Sequence, residues 1–293
     1  MNTKTLKKRF ETHFKMPVGQ HQMPAHAERV MGETRYKNVS KFISVLLKDG
    51  IIKRYRLTAR NNRSRILYCS RPLDEIDPYE NAMAMFPDGY FCNYSSIYYH
   101  SLTNQVPKTL YICNETISER RSKVRDISDN DLRRAFIKPR RHTSCVFDIT
   151  GYSIVVVDRE RNSGHGVIKT LATSQLLPRK SRVTCMERAL IDAVVAPHYN
   201  GGIASVYAHY KAAQRRANAA KLIELYKKLD FVYPYSQAIG FLLEKARMAK
   251  HAALVYREFP PKHIYYIDHN AKTSWRYDKK WKLHYPEGLV DED

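Results

Sequence analysis

The chain has 293 residues, 43% of them apolar, and a formal net charge of +21. The length favours two domains over one and the apolar fraction suffices for a sizeable core, while no run approaches the roughly 18 apolar residues of a membrane span. The five cysteines (69, 92, 113, 145, 185) are scattered without a CxxC, and no apolar segment follows the basic start Met1–Arg9. Disulfides, a zinc site and a signal peptide are thereby excluded, and a reduced, cytoplasmic protein is expected.

The first expected helix covers residues 3 to 14, with Leu6, Phe10 and Phe14 inward and Lys4, Lys7, Lys8 and Arg9 outward. Pro24 opens a second, through Val30, and Thr34 to Lys48 forms a third. In this third helix Val39, Phe42, Ile43, Leu46 and Leu47 fall at i, i+3, i+4, i+7 and i+8, the spacing of one buried face. Lys37, Asn38, Ser40, Lys41, Ser44 and Lys48 occupy the opposite face, and Gly50 suits a left-handed cap. The period then becomes strand-like in Tyr55-Arg56-Leu57 and again in Ile66 to Cys69. Between them lies the polar, basic stretch Ala59 to Arg65, with Arg60, Asn62, Arg63 and Arg65. Three helices and a basic hairpin predict a winged helix-turn-helix over residues 1–72. Its third helix would enter a major groove and its hairpin would reach phosphates. An ordinary amphipathic helix beside an ordinary hairpin gives the same pattern, and charge separates the two readings. Residues 1–72 hold 17 Lys+Arg against 4 Asp+Glu, a net +13 of the total +21. Such concentration on one small domain is the electrostatic footprint of a nucleic-acid binder.

Arg71-Pro72 to Pro78 marks a boundary, and residues 73–293 read as mixed α/β, so the whole is α+β. Helices are predicted over Pro78 to Phe86 and over Ser95 to Leu102, with Ser95 as N-cap. A strand follows over Thr109 to Cys113, then a basic connection from Arg120 to Arg141 with a short helix near Leu132. Cys145 to Ile149 and Tyr152 to Val157 form a strand pair turning at Thr150-Gly151, and Val167 to Leu171 another strand. Thr184-Cys185-Met186-Glu187 reads as a capping box opening a helix stopped by Pro197, with Arg188 and Asp192 as a surface i, i+4 pair. Gly201-Gly202 precedes a helix bearing Ile203, Val206, Tyr207 and Tyr210 on one face. Two further helices span Ala219 to Leu229 and Ser236 to Lys250, before strand-like Ile264 to Ile267 and the aromatic, basic segment Trp275 to Pro286.

Three segments carry a resemblance. Thr184 to Gly202, TCMERALIDAVVAPHYNGG, resembles the most recognisable signature of AbiEi-type antitoxins, the regulators of type IV toxin–antitoxin and abortive-infection systems. Tyr94 to Ile112, YSSIYYHSLTNQVPKTLYI, is similar to that family's Ser-rich helix and following strand, and Asp278 to Pro286, DKKWKLHYP, to its closing strand. The resemblance implies an N-terminal winged helix that binds the operator of its own operon in double-stranded DNA. It implies a C-terminal antitoxin domain over 73–293 that counteracts a nucleotidyltransferase-like toxin, without requiring a stable complex. The signature residues Thr184, Glu187, Arg188, Asp192, Gly201 and Gly202 also have a complete structural reading as cap, ion pair and helix entry.

Asp148, Asp158 and Glu160 fall on or after strands, but Asp158-Arg159-Glu160-Arg161 lacks the Lys that a restriction-type nuclease places two residues on. The 12 His include no HExxH, no P-loop Lys follows Gly201-Gly202, and Gly164-His165-Gly166 is too short to signify. No catalytic residue, metal or cofactor is expected. The rivals to a repressor–antitoxin are a nuclease or other nucleic-acid-modifying enzyme targeted by the winged helix, and a general basic nucleic-acid adaptor.

Overall fold

The computed structural model describes residues 10–32, 34, 36–116, 127–149, 151–160, 164–170, 181–269 and 274–290. Residues 3–9 of the first expected helix, Arg35, residues 120–126 of the basic connection, Thr150 and Leu171 lie outside the described residues. The architecture is mixed α+β.

The N-terminal unit runs α1 (residues 10–13), β1 (Val18–Gly19), α2 (Met23–Met31), α3 (Val39–Lys48), β2 (Lys53–Thr58) and β3 (Ser64–Cys69). β3 lies between β1 and β2 and is antiparallel to both. Phe10, Phe14, Met23, Val30, Phe42 and Leu46 pack as one core. α3 begins at Val39, the first residue of the apolar pattern and later than the expected start at Thr34, because Asn38 is extended and its side chain accepts the Lys41 N–H at 2.9 Å. A capping residue cannot itself be helical, so Lys37 and Asn38 precede the helix. Its end is as foreseen. Gly50 takes φ +63°, and the amides of Ile51 and Gly50 close on the carbonyls of Leu46 and Leu47, a Schellman motif.

Next come α4 (Pro78–Met85), β4 (Tyr90–Phe91), α5 (Asn93–Tyr99), β5 (Thr109–Thr116) and α6 (Asp129–Ile137). β6 (Val146–Ile149), β7 (Tyr152–Glu160), β8 (Val167–Lys169) and β9 (Arg182–Thr184) follow. Six strands form one sheet in the order β6-β7-β5-β4-β9-β8, with β5–β7 and β4–β9 parallel. The core under this sheet contains Phe91, Ile112, Phe147, Ile154 and Val183, but also Ala59, Leu67 and Cys69 of the N-terminal hairpin. The N-terminal hairpin therefore packs into the core of the sheet that follows it, while residues 10–52 keep a core of their own.

The helical part comprises α7 (Met186–Val195), α8 (Ile203–Ala213), α9 (Ala219–Leu229), α10 (Tyr235–Lys245) and α11 (Ala249–Glu258). A small sheet, β10 (Tyr265–Tyr266), β12 (Leu283–Pro286) and β11 (Trp275–Asp278), closes the fold in that spatial order. Three expectations need correction. Ser95 is not an N-cap: it lies inside α5, and its hydroxyl accepts the Tyr111 N–H at 2.8 Å. The capping box at Thr184 is absent, because Thr184 ends β9 and Cys185 takes the N-cap position without a side-chain bond. The single helix expected over Ser236 to Lys250 is two. Arg247 adopts φ +60° and its amide and that of Met248 close on Glu244 and Leu243, so the chain turns before α11 starts.

Candidate nucleic-acid interface

Around α3, Lys37, Asn38, Ser40, Lys41 and Ser44 are all exposed while Phe42 and Leu46 hold the helix to the core. Two of the five are partly engaged by the helix itself. Asn38 spends its side-chain oxygen on the cap, and Ser44 donates its hydroxyl to the Ser40 carbonyl at 2.9 Å. Lys37 and Lys41 make no ion pair among the described residues. The outward surface of α3 is thus cationic and open.

The hairpin tip departs from expectation. Rather than projecting freely, it rests on the edge of the six-stranded sheet. The Arg60 N–H donates to the Val146 carbonyl at 3.0 Å, tying the tip to β6. The Arg60 guanidinium forms two bonds with Asp148, at 2.8 and 3.0 Å, and Arg63 bonds Asp158 at 2.9 Å. These pairs raise both arginine pKa values, and the Arg60 and Ser153 hydrogen bonds hold the Asp148 carboxyl below its ordinary range. The Arg65 guanidinium lies over the Phe86 ring, 4.8 Å from its centroid. Asn62 occupies the left-handed position of the turn, φ +64°, a conformation that Asn tolerates. The physical reason is plain from the partners: β6 and β7 carry carboxylates where the tip carries guanidinium groups. Nothing local in the hairpin sequence announces this, because the partners lie 88 and 95 residues away. The side chains of Arg60 and Arg63 remain 63% and 55% exposed, so both pairs can exchange a carboxylate for another anion.

The second set of candidate residues is interior. Arg188 and Asp192, expected at the surface, are both fully buried and joined at 2.9 Å, with a further Arg188 bond to the His165 carbonyl at 2.6 Å. α7 packs against α5, α8, α9 and α10, and the turn at Gly166 lies against Arg188, so the pair is closed off from water. A Cβ at Gly166 would stand 2.9 Å from the Arg188 Cβ, and the residue has φ +73°, so only glycine allows the approach. Thr184 donates to Ser96 Oγ at 2.7 Å, and Ser96 Oγ and the His100 ring both bond the Thr184 carbonyl. Burial lowers the His100 pKa, so a neutral ring donates here. Burial would raise the Glu187 pKa, but Lys221 at 2.9 Å and the Asn218 amide hold it below its ordinary value. Gly201 and Gly202 both have positive φ and lead the chain into α8.

Sequence reasoning missed the polar residues that join α5 to this region: Asn93, Ser96, His100, Asn200 and His209. Asn200 bonds Asn93, and the His209 ring bridges the carbonyls of Leu102 and Asn200. The signal was present in the segments singled out for resemblance, since Tyr94–Ile112 and Thr184–Gly202 meet through the bonds of Ser96 and His100 to Thr184. Asp148 and Asp158 face arginines, and among the described residues no group of three His, Cys, Asp or Glu could hold a metal ion. No described helix is long and apolar enough to cross a membrane.

No protein-family profile matches the chain, and no curated protein does. Among solved structures, the chain is similar to the RV2827C protein from Mycobacterium tuberculosis, with a TM-score of 0.54 over 95% of this chain and 89% of that one. The two are 11% identical, so the likeness is one of fold: a mixed α+β architecture shared over almost the full length of both chains.

Proposed function

We propose that this protein is a non-catalytic repressor that binds the operator of its own operon and carries an antitoxin domain. The observation that carries the DNA-binding half is the open cationic surface of α3 on the unit that holds most of the net charge. Lys37, Ser40 and Lys41 stand around the first turn of a helix whose other side is fixed in the core. In support of a winged helix, the N-terminal unit runs helix, strand, two helices and hairpin, with strand order β1-β3-β2. In this reading the start of α3 reads base edges, and the hairpin arginines contact phosphate once released from Asp148 and Asp158.

The antitoxin half rests on the three resembling segments, with a nucleotidyltransferase-like toxin as the partner it counteracts. Two of those segments interlock through the bonds of Ser96 and His100 to Thr184, which supports a domain built around them. The nuclease rival loses ground because the carboxylates it would use, Asp148 and Asp158, are paired with arginines.

Fluorescence anisotropy with the upstream promoter duplex and a scrambled duplex tests the first half. Log affinity should fall linearly with log salt, by about 0.9 per phosphate contacted. Lys41→Ala should cost roughly 1–3 kcal/mol on the promoter and less on the scrambled duplex. Salt-independent binding, or equal loss on both duplexes, overturns base reading by α3. Co-expression with the adjacent reading frame tests the second half. Growth arrest that the full chain does not relieve removes the antitoxin role.

A further inference from the structure

A cleft of about 340 Å³, lined by no residue of α3, has chemistry that the proposed function leaves unused. It is bounded by the end of α6, the segment 138–141, the turn before α10 and the loop after β10. That volume lies at the small end of ligand pockets. Its cationic lining is Lys138, Arg140 and Arg141, and its aromatic lining is Phe136, Tyr233 and Tyr235, together with His198 and His269. No carboxylate lines it.

Two of these groups are held with hydrogen-bonding capacity to spare. Arg140 is fixed by its Nη1 on the Val195 carbonyl at 2.6 Å and by its Nε on Asp268 at 3.2 Å, which leaves its buried Nη2 without a partner. Both ring nitrogens of His198 are likewise buried and unpartnered, although the ring packs on Tyr199 and His142. Buried polar groups are satisfied in the great majority of cases, and those that are not need an explanation. Lys138 and Arg141 are exposed and pair with no carboxylate among the described residues, so their charges are available to a ligand in the cleft. His269 is held by its Nδ1 against the Lys138 carbonyl at 2.7 Å and by its ring on Phe136 at 4.5 Å, which keeps the aromatic side rigid.

We infer that this cleft binds a phosphate-bearing ligand of mononucleotide size. The guanidinium groups of Arg140 and Arg141 and the Lys138 ammonium take the phosphate. The imidazoles and Tyr233 face the nucleoside part, where aromatic surface suits a base. The same chemistry could come from a free nucleotide or from the phosphorylated end of a nucleic-acid strand.

Calorimetric titration of the full chain with AMP, CMP, inorganic phosphate and a 5′-phosphorylated pentanucleotide separates these. Saturable one-to-one binding of a mononucleotide, tighter than inorganic phosphate, is expected. A pentanucleotide that binds while AMP and CMP do not assigns the site to strand ends and keeps the phosphate-bearing class. Arg141→Gln should weaken binding about tenfold, the loss of one charge-assisted hydrogen bond, with an unchanged melting temperature. Arg140→Gln should abolish it, and because Arg140 also ties down α7, Lys138→Gln serves as the independent variant if that protein fails to fold. Lys41→Ala, on the DNA-binding surface, should leave nucleotide binding intact, so failure here is distinguishable from failure of operator binding. Absence of saturable binding by any probe overturns the inference. So does binding that survives Arg141→Gln and Lys138→Gln unchanged, or binding of AMP and CMP no tighter than inorganic phosphate with no pentanucleotide preference.

Discussion

Two residues show how one side chain can carry a structural role and a candidate functional role together. Asn38 is the cap of α3, and replacing it by Ala should cost about 1 kcal/mol of stability. Ser caps nearly as well, so Asn38→Ser should restore thermal stability and, where Asn38 acts only as a cap, promoter affinity as well. A Ser variant that melts normally but no longer prefers the promoter would make Asn38 a reader of bases. Asp192 presents the same question inside the fold. Asp192→Ala removes the carboxylate bonded to a buried guanidinium and should destabilise by about 3–5 kcal/mol in urea titration. The apolar pair Arg188→Met with Asp192→Leu removes both charges and should cost clearly less than the single change. If the paired variant costs as much as Asp192→Ala, the Arg188 bond to His165, rather than the charge balance, holds this region together.

At the level of elements, helices with a clear one-sided pattern were legible: α9 falls where the periodicity puts it, and Gly50 ends α3 as a glycine cap should. What the sequence hid follows from two kinds of interaction. Strands of two or three residues, β4 and β9, are too short to show any period and exist only because neighbours pair with them. The break between α10 and α11 is made at Arg247, a residue with no turn signature. The Ala246 carbonyl there is taken by Gln214 from another helix. The candidate site shows the same split. The α3 surface was readable from local spacing, whereas the contacts of Arg60 and Arg63 and the burial of Arg188 depend on distant chain. Gly240 is a further case. In an ordinary helix Gly→Ala gains up to roughly 1 kcal/mol. Here a Cβ would meet the Trp281 ring at 2.0 Å, and Trp281 is fully buried with its indole bonded to Glu244. Gly240→Ala should therefore destabilise by about 1–3 kcal/mol or more, with partial recovery on adding Trp281→Phe. A rise in melting temperature would show that the closing segment yields rather than the helix.

For the whole molecule, the continuous core between the hairpin and the six-stranded sheet means that both units should melt in one transition. That transition should be acid-sensitive. Burial, then the nearby charges of Arg140, His142 and His269, pushes the His198 pKa from 6.5 down to about 4, and burial lowers His100 and His209 as well. A folded-state pKa below the unfolded one means the unfolded chain binds more protons between those limits. Stability is then complete above about pH 6.5 and falls as pH drops towards 4, by on the order of 2 kcal/mol for His198 alone. Urea titrations at pH 7, 6 and 5 should show the decline, and equal midpoints would contradict it. The ion pairs of Arg60 and Arg63 are a different kind of link between the units, exposed and worth little to stability. Their consequence is competition. Each arginine can serve a carboxylate or a phosphate, and under the proposed function DNA would have to displace Asp148 and Asp158 to engage the hairpin. Asp148→Asn with Asp158→Asn removes the competitor and two negative charges. It should tighten binding to promoter and scrambled duplex alike and leave the melting temperature within the small range expected of surface pairs. Adding Arg63→Ala to that variant should cancel part of the gain and lower the salt slope by about one. If the carboxamide variant binds DNA no better, or the added Arg63→Ala changes nothing, the hairpin stays docked on the sheet and α3 alone makes the contact.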